Sequence, residues 1–291
     1  MNSPRDIRRR IRSISGTSQI TRAMQMVAAS KMRKAQQAAL AARPFARMLY
    51  RIQRDATARS QHFRHPLQER REVRRRAVIL IAADKGLCGA LNTNVFRLAA
   101  LFDPQTTLFI TAGRKAAQFV ARSRRQLAAE FSYGDTPTFP EARAIAAAAR
   151  DLFLNGEVDA VQVVTTRFVN TLTQEPVTAE FLPVGPITSL KIPDVPHAAG
   201  AAGDAEDEEE ALFEPDPKDV LRYLLGHYLN IFIYFALLNA KASEQSARMV
   251  SMKNATDSAE ALIQELRLDY NKLRQGNITK ELLEIAGGQA Q

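Results

Sequence analysis

The chain has 291 residues, enough for one large domain or two modest ones, and its 40 Lys+Arg against 31 Asp+Glu give a net charge of +9. A hydrophobic share of 46% is ordinary for a protein with a buried core. The single cysteine, Cys88, excludes an intrachain disulfide and is consistent with a reducing compartment.

The charge is unevenly placed. Met1–Arg76 holds 20 of the Lys+Arg but only 4 of the Asp+Glu, which predicts an acidic partner for this end: nucleic acid, anionic lipid or acidic protein loops. Within it, Asp6 to about Ala58 reads as one long helix, because Ala, Arg, Met, Gln and Lys dominate. Ile7, Ile11 and Ile14 fall at helical spacing. Ile20, Met24 and Val27 are expected to continue the stripe with a shifted phase, so the pattern is not a clean heptad. Pro44 should bend the helix locally.

Gln61–Arg76 reads as a charged linker. The texture then changes. Ala77–Ala83, AVILIAA, is a continuous apolar run, as a buried parallel strand should be. A loop, DKGLCGALN, leads to a helix ending near Phe102, and Thr107–Thr111 reads as a second strand before Gly113 and another helix. Glu141–Asn155 is helical and Val158–Thr165 a further buried strand. Val177–Val184 is a last strand, antiparallel at an edge. This alternation predicts an α/β domain with a mostly parallel sheet. Asp194–Pro217 contains HAAGAAG and the acid run Asp204–Glu210, and reads as a solvated excursion. Pro217 suits the first turn of a final helix that Asp216 caps, running to about Ile285. Its most apolar stretch, Val220–Leu238, is broken by Arg222 and His227, so it reads as a buried or partner-covered helix rather than a membrane span. Near its end Ile263, Leu266, Tyr270 and Leu273 form one apolar stripe. The expected domains are a helix at 1–60, a linker at 61–76, a central α/β domain at 77–193, an acidic segment at 194–217 and a second helix at 218–291.

The candidate chemistry is thin. Asp84–Gly89 sits between strand and helix, where α/β domains often bind phosphate, but its glycines match neither the Walker A loop nor the dinucleotide fingerprint. A tight turn is the better reading. Cys88 as a nucleophile needs a neighbouring base, yet His62, His65 and His197 fall in apparent linkers and His227 in the final helix. No metal-ligand spacing is present, so no cofactor, metal or catalytic residue is expected. Arg5, Arg8, Arg9, Arg10 and Arg12 would suit backbone phosphates, although no aromatic residue is interleaved to stack on bases. A basic coiled-coil protein that binds nucleic acid is therefore the alternative reading.

Three stretches carry more. They are ITRAMQMVAASKMRKAQ at Ile20–Gln36, DKGLCG at Asp84–Gly89, and ASEQSARMVSMKNATDSAEALIQELRLDYNKLRQGNITKELLEIAGG from Ala242. In this order they closely resemble the gamma-subunit family of F-type ATP synthases, the central stalk. The resemblance implies a long antiparallel coiled coil of the two terminal helices plus a central Rossmann-like α/β domain. It implies a non-catalytic rotor shaft that couples ion flow (H⁺ or Na⁺) through a membrane ring to the catalytic cycle of an alpha/beta hexamer. The implied partners are the alpha, beta and epsilon subunits and the c-ring, with no nucleic acid and only indirect membrane contact. The implied location is the cytoplasmic side of a bacterial cell membrane, without a targeting peptide. Met24, Lys31, Lys34, Arg248, Gln275 and Thr279 match positions that contact catalytic subunits or support coupling. Leu212, Phe213 and Glu214 match the segment beside the ring. The chain departs from the family pattern at Ala90, where a glycine is common, and at Gly276–Asn277, which should soften the last helix.

Overall fold

A computed structural model describes residues 3–59, 65–185 and 217–288. Two helices bracket the chain, α1 at Pro4–Arg59 and α5 at Pro217–Gly288. Between them come β1 (Arg76–Ile81), α2 (Leu91–Ala100), β2 (Thr107–Ala112), α3 (Arg114–Arg122), β3 (Gln126–Phe131), α4 (Phe139–Leu154), β4 (Ala160–Phe168) and β5 (Gln174–Leu182). The chain divides into two compact units. One comprises residues up to Ala29 together with those from Arg248 onward, and the other spans Ser30–Ala247.

The Ser30–Ala247 unit is built on a five-stranded sheet in the order β3-β2-β1-β4-β5. The first four strands are parallel, and β5 pairs antiparallel with β4 at the edge. The apolar run of β1 works on both faces because successive side chains point opposite ways. Ala77, Ile79 and Ile81 join a core with α4 and with Leu225–Ala240 of α5. Val78, Leu80 and Ala82 pack instead with Val95 and Ala99 of α2 and Ala116 and Val120 of α3. Both faces are covered, as a parallel sheet requires. The part of α5 in this unit is buried nearly all round, with residues 235–238 and 240–246 all enclosed. An 18-residue window of α5 reaches a mean hydropathy of 1.3. Leu221, Leu225, Leu229 and Ile233 are buried within the protein, which identifies this stretch as a core helix.

β3 is not anticipated by the sequence pattern. Its residues, QLAAEF, are mostly exposed, because an edge strand packs little of either face and so shows no apolar run. At the turn from β2 into α3, Gly113 has φ 98°, and a Cβ there would lie 2.0 Å from the Ala82 carbonyl oxygen. Only glycine fits. The charged segment before β1 is pinned as well: Leu67, in the short 3₁₀ turn Pro66–Gln68, is buried, and its carbonyl accepts the Val184 N–H at 2.7 Å.

The other unit is a pair of antiparallel helices. Arg8 donates to the Tyr270 hydroxyl, and Thr21 meets Thr256 at 2.6 Å. Thirteen residues forward on α1 thus correspond to fourteen backward on α5. The seam on α1 runs through Ile7, Ile11, Ile14, Ser18, Thr21, Gln25 and Ala28, each buried or half-buried. Steps alternate four and three, so the heptad is clean. This corrects the expected phase shift: Ile20 is 62% and Val27 54% exposed, and small or polar residues hold the seam in their place. On α5 the seam passes through Met252, Thr256, Ala259, Ile263, Leu266 and Tyr270. Leu273, expected on this stripe, is already exposed.

Candidate functional site

No side-chain cluster with the makings of a catalytic centre emerges among the described residues. Cys88 is buried, and its Sγ accepts from Asn92 Nδ2 at 3.5 Å. His65 caps the 3₁₀ turn by accepting the Leu67 N–H, and burial holds its pKa below the ordinary value, with the Arg222 charge adding to the effect. The His227 ring lies 4.9 Å from that of Tyr223, tilted by 55°, while His62 and His197 lie outside the described residues. No three His, Cys, Asp or Glu side chains come together to ligate a metal among the described residues.

The Asp84–Gly89 loop stands at the carboxyl end of β1, beside β4, where the strand order reverses. Open α/β sheets commonly receive ligands at such a point. Here the chain's own helix occupies it. Ala247 of α5 packs against Ala83, Cys88 and Leu91. Ser246 Oγ donates to the Thr171 carbonyl, beyond β4, at 2.7 Å. Lys241 lies over the Tyr133 ring, beyond β3, at 5.1 Å. The loop's own polar groups are also engaged: the Asp84 carboxylate accepts the Arg114 N–H at 2.8 Å, and Asn92 Oδ1 accepts the Ala83 N–H at 3.1 Å. Leu87 adopts φ 63° and is exposed. The tight-turn reading fits this geometry.

A chain of four charges runs through the same region. Lys31 on α1 pairs with Asp135, Asp135 lies 3.5 Å from Lys241, and Lys241 is 3.0 Å from Glu244. Lys241 and Glu244 are 2% and 4% exposed, and Asp135 is 55% exposed. The hydrogen bond from Lys31, reinforced by the Lys241 charge, holds the Asp135 carboxyl below its usual pKa against a smaller opposing effect of burial. Burial pushes the Tyr133 hydroxyl well above its usual pKa, and the Glu244 and Asp84 charges push the same way. The Tyr133 hydroxyl donates to the Ala82 carbonyl at 3.1 Å. Next to it, Glu141 accepts the N–H groups of Gly134 and Thr138. Burial works to raise the Glu141 pKa, but these hydrogen bonds lower it on balance. The sequence reading missed Lys241, Glu244 and Asp135. Lys and Glu three apart on a helix ordinarily mark a solvated face, and only the tertiary fold encloses them.

The expected contact residues fall into distinct settings. In the helix-pair unit Met24 is half-buried, Arg248 is 8% exposed, and Gln275 and Thr279 are exposed. Thr279 Oγ1 bonds back to the Gln275 carbonyl at 3.0 Å. In the sheet unit Lys34 is exposed, while Lys31 spends its charge on Asp135. Leu212, Phe213 and Glu214, and the acid run Asp204–Glu210, lie outside the described residues. Arg8 is engaged with Tyr270, and Arg22 pairs with Glu260 at 2.6 Å. Part of the basic end therefore serves the helix pair itself.

The outside of that pair is unusually apolar. Ile20, Met26 and Val27 on α1, and Leu268, Ile278, Leu282 and Leu283 on α5, are all exposed. Every described side chain from Asn271 to Thr279 is exposed. Surfaces of this kind mark places where other proteins pack.

The family described as ATP synthase matches residues 3–290. The ATP synthase gamma chain of Opitutus terrae is 46% identical over 99% of this chain and 98% of its own length. That of Methylacidiphilum infernorum is 41% identical, with 99% of each chain covered. Among solved structures, a chain of the Euglena gracilis mitochondrial ATP synthase OSCP/F1/c-ring assembly matches with a TM-score of 0.65. It is 22% identical and covers 98% of this chain and 93% of that one. A chain from the rotor of the same enzyme gives 0.63, again at 22% identity, covering 94% and 98%. At that identity the two structures speak for the fold. Nothing in these relatives supports the nucleic-acid alternative. With a match along nearly its whole length and terminal helices paired antiparallel, the chain belongs to the gamma-chain family of ATP synthase.

Proposed function

We propose that this chain turns as the shaft of an ATP synthase, with no chemistry of its own, and that its helix pair works inside a hexamer of alpha and beta subunits. One observation carries the reading: along Ser18, Thr21, Gln25 and Ala28 the helix pair closes its seam with small and polar residues, while Ile20, Met26 and Val27 stay outside. A helix pair that stood alone would gain most by burying those side chains against each other. Leaving them outward makes sense where the surrounding protein covers them in turn. Each orientation of the shaft then stabilises a different conformation of each catalytic site, so rotation exchanges stabilities among the sites.

In this reading Met24, Arg248, Gln275 and Thr279 are coupling contacts from the helix pair, with Lys31 and Lys34 on the sheet unit. Diffuse positive charge along residues 1–76 attracts acidic loops without fixing one angle. Leu212, Phe213 and Glu214 contact the membrane ring, and an epsilon subunit binds the base. The shaft sits at the cytoplasmic face of a bacterial membrane and is driven by H⁺ or Na⁺ flow. The terminal helices at 1–60 and 218–291, the linker at 61–76, the central domain at 77–193 and the acidic segment at 194–217 divide this labour.

The test is reconstitution. The chain is mixed with alpha and beta subunits of the same source and the purified complex is assayed for ATP hydrolysis. One copy of the chain per hexamer, with activity that drops when Met24→Lys is introduced, supports the reading. Well-folded subunits that fail to assemble with it overturn the reading.

A further inference from the structure

A shaft requires the sheet unit to hold α5 against twisting, and polar contacts add to what its apolar core supplies. Apolar burial is non-directional, and α5 is enclosed nearly all round between Tyr228 and Ser246. Interdigitated side chains already restrict rotation of the helix, and directional contacts add to that restriction. Hydrogen bonds and ion pairs are directional, and buried polar groups are best attested as devices that fix register.

Two sets of such contacts reach α5. On one side Asp135, in the loop after β3, approaches Lys241 at 3.5 Å, and Lys241 is 3.0 Å from Glu244 on its own helix. Asp135 also binds Lys31 of α1, so the loop ties both helices together. On the other side the β4–β5 hairpin takes hold of Ser246, whose Oγ donates to the Thr171 carbonyl at 2.7 Å and accepts from Gln174 Nε2 at 3.4 Å. Lys241 and Ser246 are five residues apart, which places them roughly 140° apart around a helix of 3.6 residues per turn. Contacts at two such angles oppose rotation in either sense. Asn170 stiffens the hairpin, its Oδ1 accepting the N–H groups of Leu172 and Thr173 at 2.9 and 2.8 Å. Tyr133 and Gly134 stiffen the opposite loop through Ala82 and Glu141.

We infer that Asp135–Lys241 and Thr171–Ser246 form a two-sided polar grip that locks α5 in rotational register within the sheet unit and so carries torque between them. These are positioning residues, and the inference rests on the shaft reading above. The test uses the assembled complex, with the hexamer fixed to a surface and a bead attached through Leu101→Cys, an exposed position on the sheet unit. Cys88 is buried and does not compete for the label. The angular fluctuation of the bead is recorded in the arrested state, alongside ATP hydrolysis. The variant is Asp135→Ala with Ser246→Ala. It leaves Lys241 paired with Glu244 and the Thr171 carbonyl with Gln174, so no buried charge is stranded. The grip predicts that angular variance rises at least about twofold while hydrolysis stays within about twofold. Asp135→Glu with Ser246→Thr, which keeps both polar groups, should restore the stiffness. Unchanged variance in an assembled, active variant overturns the grip and leaves the shaft reading standing. Parallel loss of assembly and hydrolysis in the variant reduces the residues to folding roles and also overturns it. Failure of the unsubstituted chain to assemble removes the shaft reading and the grip together.

Discussion

The same two helices live by different rules in the two units. In the sheet unit α5 is a core helix, dry and surrounded, with Leu225, Leu229, Ile233 and Leu237 packed beneath the strands. In the helix-pair unit it is half of a slender seam in which Thr256 and Ala259 are buried while Leu262 and Leu268 face outward. Large apolar residues stabilise the first unit. In the second, part of the seam is small or polar, at Ser18, Thr21, Thr256 and Ala259, while Ile20, Val27 and Leu268 are displayed. In the proposed function the difference separates two tasks: the sheet unit is stable by itself, whereas the helix pair offers surface to others.

The contrast is sharpest where the sheet unit tolerates least. Gly113→Ala puts a Cβ against the Ala82 carbonyl at a positive φ, and should cost at least about 3 kcal/mol. Urea unfolding of the full chain checks it, and a near-neutral result would mean that the β2–α3 turn is not the fixed point described. Phe153→Ala, at a fully buried side chain, should cost about 3–5 kcal/mol. The seam should answer differently. Replacing Thr21 and Thr256 together by Val removes a buried hydroxyl pair of similar shape and should change stability by less than about 1 kcal/mol. A loss comparable to that at Phe153 would erase the proposed distinction between the units.

Acid gives a smaller effect with a defined sign. The Arg75 and Arg74 backbone N–H groups hold the Asp159 carboxyl below its usual pKa. The hydrogen bond from Lys31 does the same for Asp135. A carboxylate depressed in the folded state adds stability above its unfolded pKa of about 4, and that stability is lost as pH falls through the folded value. Asp159→Asn should therefore lower stability at pH 7 and flatten its decline below about pH 4, so that the two proteins converge in strong acid. An unchanged acid profile in denaturation curves from pH 2 to 7 would show that the two hydrogen bonds do not hold the charged form.

The most local effect is expected at Gly276, in the exposed end of α5 with open space around it. Gly276→Ala should strengthen the helix locally by about 1 kcal/mol. Slower amide exchange over residues 271–288 would show it, and unchanged exchange would mean that glycine does not set the local softness.

Much of this was legible in the sequence, and the failures have physical causes. The run Ala77–Ala83 announced β1 because a doubly covered strand is apolar on both faces. The antiparallel edge strand was also correctly placed. β3 was invisible because QLAAEF packs little of either face. The frame set by Ile7, Ile11 and Ile14 continues by fours and threes to Ser18, Thr21, Gln25 and Ala28. Reading for hydrophobicity alone diverted it to Ile20 and Val27, which face outward. The terminal motifs pointed to the family, but the enclosed charges at Lys241 and Glu244 could not be foreseen. Their burial depends on loops more than sixty residues away in the chain.

The central claim is that this chain turns as a unit inside its partners. A bead fixed at Leu101→Cys on the sheet unit, in a complex with alpha and beta subunits anchored to a surface, tests it directly when ATP is added. The account predicts sustained rotation of the bead in one direction. Continued ATP hydrolysis beneath a bead that only fluctuates would contradict it.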